Sequence, residues 1–369
     1  MAQTSRSSNK VKRLNLALQG GGSHGAFTWG VLDRILEDET LEIDAISGAS
    51  AGAMNAVVLA DGWMKGGRQG ARDALKRFWD NVGKTARTSP IQRGPLGKWF
   101  NDWSLDASPA YLYFDMVTRL VSPYDLNPAN INPLRDILTE QVDFDAVRAC
   151  QEIGVHISAT NVETGRVEVF NRHELGVDHV LASACLPTLF QAVEIDGVPY
   201  WDGGYMGNPP LFPLFDHSET DDVVIVQINP IERTGAPRKA RDILNRLNEI
   251  TFNASLLKEL RAIDFVSRLM DAGRLEGTGY RRVLVHMISH EQALCGFGAS
   301  SKLNAEEAFL ELLFARGREV ADGWLKANKK NIGKRSSVNL RKLFEGSEDT
   351  LGVDRITRRA KFQTKAADS

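Results

Sequence analysis

Ile43-Asp44-Ala45-Ile46-Ser47-Gly48-Ala49-Ser50-Ala51-Gly52 is the stretch whose reading decides the fold. Ile43 to Ser47 reads as a short strand that runs without a break into Gly-Ala-Ser-Ala-Gly and then into a helical stretch ending near Asp61. The pentad has the Gly-x-Ser-x-Gly spacing of a nucleophile elbow. There a sharp strand-to-helix turn holds the serine in a strained conformation, and the flanking glycines, here Gly48 and Gly52, remove Cβ atoms that would collide. Small-residue turns also arise for purely structural reasons. The position at the end of a short buried strand favours Ser50 as a nucleophile.

Toward the N-terminus, Leu14 to Gln19 reads as another strand, Gly20 to Gly25 (GGGSHG) as a glycine-dense turn, and Ala26 to Glu37 as an amphipathic helix. The turn leaves successive backbone N–H groups open at a helix N-terminus, which suits an anion or a developing oxyanion. It also fits the Gly-x-Gly-x-x-Gly of a dinucleotide-binding unit, with Glu42 or Asp44 as the ribose-binding acid. The second strand separates the two readings. Both acids sit at its start and the serine elbow at its end, so an oxyanion hole and a nucleophile would share the carboxyl edge of neighbouring parallel strands. Acyl transfer is the better fit.

Further along, Ile153 to Ala159, Val167 to Phe170, Val223 to Ile228 and Val283 to Ile288 read as strands, Val177 to Cys185 as a helix, and Val193 to Trp201 as a hairpin turning at Asp196-Gly197. Strands alternating with helices predict a mostly parallel sheet with helices on both faces. A serine hydroxyl needs a base. Asp202 follows Val198 to Trp201 and precedes Gly203 and Gly204, which let the chain turn steeply and bring the carboxylate against another backbone. An ordinary Asp-Gly turn is the plainer account of the same residues. A Ser-His-acid triad using His290, just past the last strand, is the competing enzyme reading; a catalytically silent module binding a membrane or partner is the competing reading of another class.

Between Gly62 and Asn132 the alternation breaks, and nine aromatics lie between Phe78 and Tyr124, among them Trp99, Phe100, Trp103, Tyr111, Tyr113 and Phe114. This reads as an insertion serving either as a local packing core or as a lipid-facing lid. Ile243, Leu247, Ile250, Ala254, Leu257 and Leu260 recur at helical spacing and predict a core-facing helix. A last helix is expected from Asn304, which can cap it, through Phe309, Leu312, Leu313, Val320 and Trp324. Lys326 to Lys342 holds seven Lys or Arg and no acid, which reads as a solvated basic tail, with anionic lipid headgroups as the alternative contact.

GGGSHG, GASAG and the Asp-Gly-Gly of residues 202 to 204, in this order, together resemble the patatin-like phospholipase family. The block Ala182-Ser183-Ala184-Cys185-Leu186-Pro187, with Phe190 and the YWDGGYMGNPP that begins at Tyr200, is similar to the family's region around its catalytic aspartate. The likeness covers roughly residues 12 to 230. It implies a three-layer α/β/α sandwich, hydrolysis of fatty acyl esters, and a Ser-Asp dyad with Ser50 as nucleophile and Asp202 as base. It further implies an oxyanion hole from the loop carrying Gly20, Gly21, Gly22 and Gly25, chiefly at Gly21 and Gly22; with that loop given to the oxyanion and no His, Cys or carboxylate cluster at ligand spacing, neither metal nor nucleotide is expected as cofactor. His24 stands where many members carry Arg or Lys. The organisation expected is an arm over residues 1–12, a catalytic domain over 13–230 with its insertion at about 62–132, an extension over 231–330 packed on the same domain, and a basic tail over 331–369.

Bulk composition agrees with an ordinary globular enzyme: 369 residues, 43% hydrophobic and 25% charged, with a formal net charge of -2. That balance argues against a protein devoted to nucleic-acid phosphates and leaves a lipid substrate, with transient membrane-surface contact, as the expected partner. Cys150, Cys185 and Cys295 are far apart and odd in number, with no CxxC pair to suggest zinc or dithiol chemistry, and a reducing compartment is the simplest reading. With no signal-peptide pattern near the start and Ala45 to Ala60 too short and too rich in small residues to span a bilayer, a cytoplasmic location is expected, non-classical secretion remaining open.

Overall fold

The apolar runs pair into one sheet. In chain order its strands are β1 (Lys12–Leu18), β2 (Leu41–Gly48), β3 (Gly154–Asn161), β4 (Val167–Asn171), β5 (Val193–Ile195), β6 (Val198–Asp202), β7 (Asp222–Gln227) and β8 (Leu284–Ser289). The computed structural model describes residues 11–89, 91–94, 103–216, 218–290 and 297–345. The strand order is β5-β6-β3-β2-β1-β7-β8, with β4 also paired to β3. β8, β7, β1, β2 and β3 run parallel, and β4, β5 and β6 complete one side antiparallel. This is the mostly parallel α/β sheet expected. The β5–β6 hairpin turns at Asp196 and Gly197, both at positive φ.

Alternation along each strand builds two cores. Leu16, Leu18, Val224 and Val226 face a layer that includes α1 (Gly25–Leu36), α2 (Ala51–Ala86) and a late helix, α6 (Glu307–Asn328). Ala17, Val223, Ile225 and Val285 face the other layer, where α5 (Ala240–Asp271) contributes Leu256, Leu260 and Ile263. α6 is integral to the first layer: a Cβ on Gly30 would fall 2.0 Å from the Phe314 carbonyl oxygen, and one on Gly317 would fall 2.1 Å from that of Phe27. The two helices therefore cross backbone on backbone. Asp33 is buried beside that crossing and takes ion pairs from Arg72 and Arg318.

Four expectations change. The break falls at Gly66 and Gly67 instead of Gly62: α2 is two helical runs joined by that non-helical pair, the second continuing to Ala86 and folding back so that Trp79 Nε1 donates to Asn55 Oδ1 at 3.0 Å. Phe78 and Trp79 belong to its buried face, whereas Tyr113 and Tyr124 are exposed and Trp99 and Phe100 lie outside the described residues. The first half of α5 is not core-facing. Ile243, Leu247 and Ile250 are 41%, 53% and 51% exposed, so the periodic stripe is real but has no partner there among the described residues. Asn304 lies before α6, its side chain accepting from the Glu306 N–H, and the helix begins at Glu307.

The basic segment after Lys326 is folded as far as Glu345. Ile332 is buried, the Ser337 N–H donates to the Val285 carbonyl, and Gly333 N–H donates to Asp222. His286, fully buried on β8, bonds Asp222 at 2.8 Å and Ser337 Oγ at 3.0 Å. Polar groups offered by β7 and β8 thus hold this segment against the sheet, a tertiary effect that charge counting misses. Residues 346–369 lie outside the described part, as does Cys295, while Cys150 and Cys185 are buried free thiols.

Candidate active site

Sheet polarity decides which groups can meet. β1 and β2 pair in parallel from Lys12↔Leu41 to Leu18↔Gly48, with a one-residue register shift between Leu14 and Leu16, so the glycine loop and the serine elbow leave the sheet side by side at its carboxyl edge. Ser50 has φ 51° and ψ −119°, a conformation rare for a residue with a side chain, and α2 starts at the next residue. Close approach explains the glycines around it. A Cβ on Gly52 would lie 2.2 Å from the Leu18 carbonyl oxygen, and one on Gly48 would lie 2.7 Å from the Gly52 backbone. The Ser50 N–H donates to Ser183 Oγ at 2.9 Å, which pins the turn to α4 (Val177–Ser183).

Asp202 is the last residue of β6, opposite Ala159 of β3, and is 1% exposed. Its backbone is fixed on both sides: its N–H donates to the Cys185 carbonyl at 2.8 Å and its carbonyl accepts from Thr160 Oγ1 at 2.8 Å. The Gly204 N–H donates to Asp202 Oδ1 at 2.7 Å. Gly203 is needed because a Cβ there would fall 2.1 Å from the Ser158 carbonyl oxygen. Burial pushes the Asp202 carboxyl up to about 7, opposed by hydrogen bonds from Gly204 and from the Ser50 side chain and by the charge of Lys302. The Ser50 side chain is thus near enough to Asp202 to lower its carboxyl pKa.

The four loop glycines do different things. Gly20 N–H donates to Asn208 Oδ1 at 2.6 Å, and Gly25 N–H goes to the Gly22 and Ser23 carbonyls. Their lack of side chains serves packing instead, since a Cβ would fall 2.7 Å from Ser50 Cβ at Gly20 and 2.7 Å from Ala51 Cβ at Gly25. No protein acceptor takes the N–H of Gly21 or Gly22 among the described residues. The loop is braced from below. Gln19 Oε1 accepts from the N–H groups of Ile228 and Asn229, and Asn229 Nδ2 donates to the Gly20 carbonyl at 2.7 Å. His24 turns away from the edge to bond Ser301 Oγ at 2.8 Å, and burial holds it neutral with its pKa down at about 3.

The residues of the rival readings lie elsewhere. His290 follows β8, three strands from β2, a lateral distance of about 14 Å at ordinary strand spacing. Glu42 pairs with Arg13, and Asp44 accepts from Ser218 Oγ at 2.6 Å and from the Glu219 N–H at 2.9 Å. Glu42 is six residues before Gly48, roughly 20 Å down the strand from the glycine loop. Among the described residues no three His, Cys, Asp or Glu form a metal-holding group, and no helix is long and apolar enough to cross a membrane. Ser183, Asn208 and Asn229 were not singled out from sequence. Ser183 lies in the Ala182–Pro187 block, and the two asparagines each precede a proline, which signals a turn but not what the side chain holds.

Comparison with known proteins adds an independent line. The family model described as Patatin-like phospholipase matches residues 16–215. Proteins named Lysophospholipase NTE1 from two strains of Cryptococcus neoformans var. neoformans serotype D are each 24% identical over 331 residues. The match takes in 87% of this chain and 18% of theirs, so the chain spans less than a fifth of the length of these curated relatives. Among solved structures, VipD from Legionella pneumophila is similar with a TM-score of 0.34 and 15% identity, covering 94% of this chain and 80% of that one. ExoU from Pseudomonas aeruginosa, solved in complex with SpcU, gives 0.28 and 14%, covering 86% and 53%.

Proposed function

The chain belongs to the patatin-like phospholipase family, and from that premise we propose that it is a lipid acyl hydrolase working through a Ser50–Asp202 dyad and an acyl-enzyme. Ser50 Oγ attacks the acyl carbonyl carbon while Asp202 takes the hydroxyl proton. The N–H groups of Gly21 and Gly22 receive the oxyanion, Gly20 and Gly25 letting the loop close on the nucleophile. Collapse expels the alcohol, which takes the proton back from Asp202. Water then repeats the attack with Asp202 again as base and releases the fatty acid. The observation that carries this reading is the buried Asp202 carboxyl, lifted by burial to about 7, where a general base is most effective, and near enough to the strained Ser50 for its side chain to affect that pKa.

The relatives' name, lysophospholipase, supports a lysophospholipid or phospholipid as substrate. Acyl release from a panel of lysophospholipid, diacyl phospholipid, monoacylglycerol and triacylglycerol is expected to be fastest on a phosphate-bearing ester. A triacylglycerol preference would move the assignment to neutral lipid, and no release from any member would remove it.

Transient contact with a lipid surface completes the proposal. On α3 (Pro109–Leu120), Leu112, Met116 and Leu120 form an i, i+4, i+8 stripe that is 40%, 51% and 78% exposed. The basic segment is the weaker candidate, because Lys326 and Lys329 already pair with Asp322 and Asp38. Flotation with zwitterionic vesicles should therefore survive raised salt and fall when Met116 and Leu120 become Glu. Binding that is stripped by salt and indifferent to those two changes would assign the contact to the basic residues.

A further inference from the structure

Beyond the segment matched by the family model, the turn Ala299–Leu303 lies directly on the glycine loop: a Cβ on Gly22 would fall 2.3 Å from the Lys302 carbonyl oxygen. The Lys302 ammonium donates to Asn229 Oδ1 at 2.6 Å, and Asn229 in turn holds the Gly20 carbonyl. It also stands 5.9 Å from the centre of the Phe252 ring, whose edge would be 2.2 Å from a Cβ on Gly204. Lys302 is thus wedged between the loop that carries Gly21 and Gly22 and the turn that carries Asp202.

An ammonium has three N–H donors, and the amide oxygen of Asn229 supplies no compensating charge. Glu249, the other acid that Lys302 feels, is itself held by Arg233 and Arg246. Burial lowers the Lys302 pKa to about 8, which leaves the group charged at neutral pH. His24, neutral and turned toward Ser301, supplies no second cation to this corner.

We propose that Lys302 is a specificity-determining residue that donates to a phosphate oxygen of the lipid whose acyl ester lies at Ser50. This rests on the Ser50–Asp202 reading. In a glycerophospholipid only the glycerol backbone separates the ester from the phosphate, so one cation beside the oxyanion loop distinguishes a phosphate-bearing ester from a neutral glyceride with the same acyl chain. Lysine supplies this as a point charge with rotatable donors.

The test uses the full chain with palmitoyl lysophosphatidylcholine and monopalmitoylglycerol in the same uncharged detergent micelles. Lys302→Met and Lys302→Gln both remove the charge, the second keeping a donor for Asn229, and unchanged melting profiles establish folding. The ratio of kcat/KM for the phosphate-bearing ester over the neutral one is expected to drop at least ~10-fold in both variants, the usual worth of a hydrogen bond to a charged group. Lys302→Arg should restore most of the ratio, and millimolar inorganic phosphate should compete with the lysophospholipid in wild type but not in Lys302→Met. Equal losses on both esters would overturn the proposal and leave Lys302 acting through Asp202. Phosphate competition with an unchanged ratio would assign the site to free phosphate and overturn it as a substrate contact. Wild-type protein inactive on both esters would instead remove the dyad reading, and this inference with it.

Discussion

Asp202→Asn should lower acyl-ester turnover at least ~100-fold, the usual worth of general-base catalysis, while making the protein more stable. An amide keeps the shape of the carboxylate and can accept from the Gly204 N–H, but it cannot take the Ser50 proton. The gain in stability follows from linkage. Burial raises the Asp202 pKa in the folded state from 3.8 to about 7, so the folded chain binds the extra proton and the favourable contribution is complete below the unfolded value. It is lost as pH rises through the folded value, where a buried carboxylate must exist. The melting temperature of Asp202→Asn relative to wild type should therefore climb between about pH 4 and 7 and level off above. Wild-type kcat/KM should fall about tenfold per unit below pH 7, and that limb should vanish in the variant. An unstable Asp202→Asn with normal turnover would mark Asp202 as an ordinary structural turn residue.

Ser50→Ala should reduce hydrolysis to background on every ester, since in the proposed mechanism its hydroxyl is the attacking atom. The variant keeps the strained turn, because alanine has the same difficulty at φ 51°. Ser50→Gly is expected to be equally inactive but more stable by ~1 kcal/mol, the low end of what a residue in a sparsely populated region costs. Activity retained in a folded Ser50→Ala would end the acyl-enzyme account.

How much of this was legible depended on whether the signal was local. The strand before Ser50, the elbow, and the Asp196-Gly197 hairpin are written in contiguous residues, and they fold where their periodicity and glycines put them. The division of labour within Gly20 to Gly25 was not legible. Four identical letters cannot tell that Asn208, almost two hundred residues on, takes one N–H and that helix geometry takes another. The α5 stripe shows the complementary failure. Its period is plain, but periodicity says only that one face is apolar, and Ile243, Leu247 and Ile250 turn out exposed. The charge pattern after Lys326 hides a folded segment, because the burial of Ile332 and the Ser337 contacts with β8 outweigh its charge. Lys302 had no local signature at all, sitting in an unremarkable Ser-Ser-Lys-Leu-Asn and meeting the loop only through the tertiary fold.

The central claim is that an aspartate alone, with no histidine, activates Ser50. The direct measurement is the rate of covalent labelling by a fluorophosphonate at pH 7.5, with the modified peptide mapped, in wild type, Asp202→Asn and His290→Ala, each shown to be folded by a single cooperative melting transition. The dyad predicts labelling at Ser50 that slows by ~100-fold in Asp202→Asn, by loss of the base, and stays near wild type in His290→Ala. Near-normal labelling in Asp202→Asn together with a severe loss in His290→Ala would contradict it and replace the dyad with a histidine-based triad.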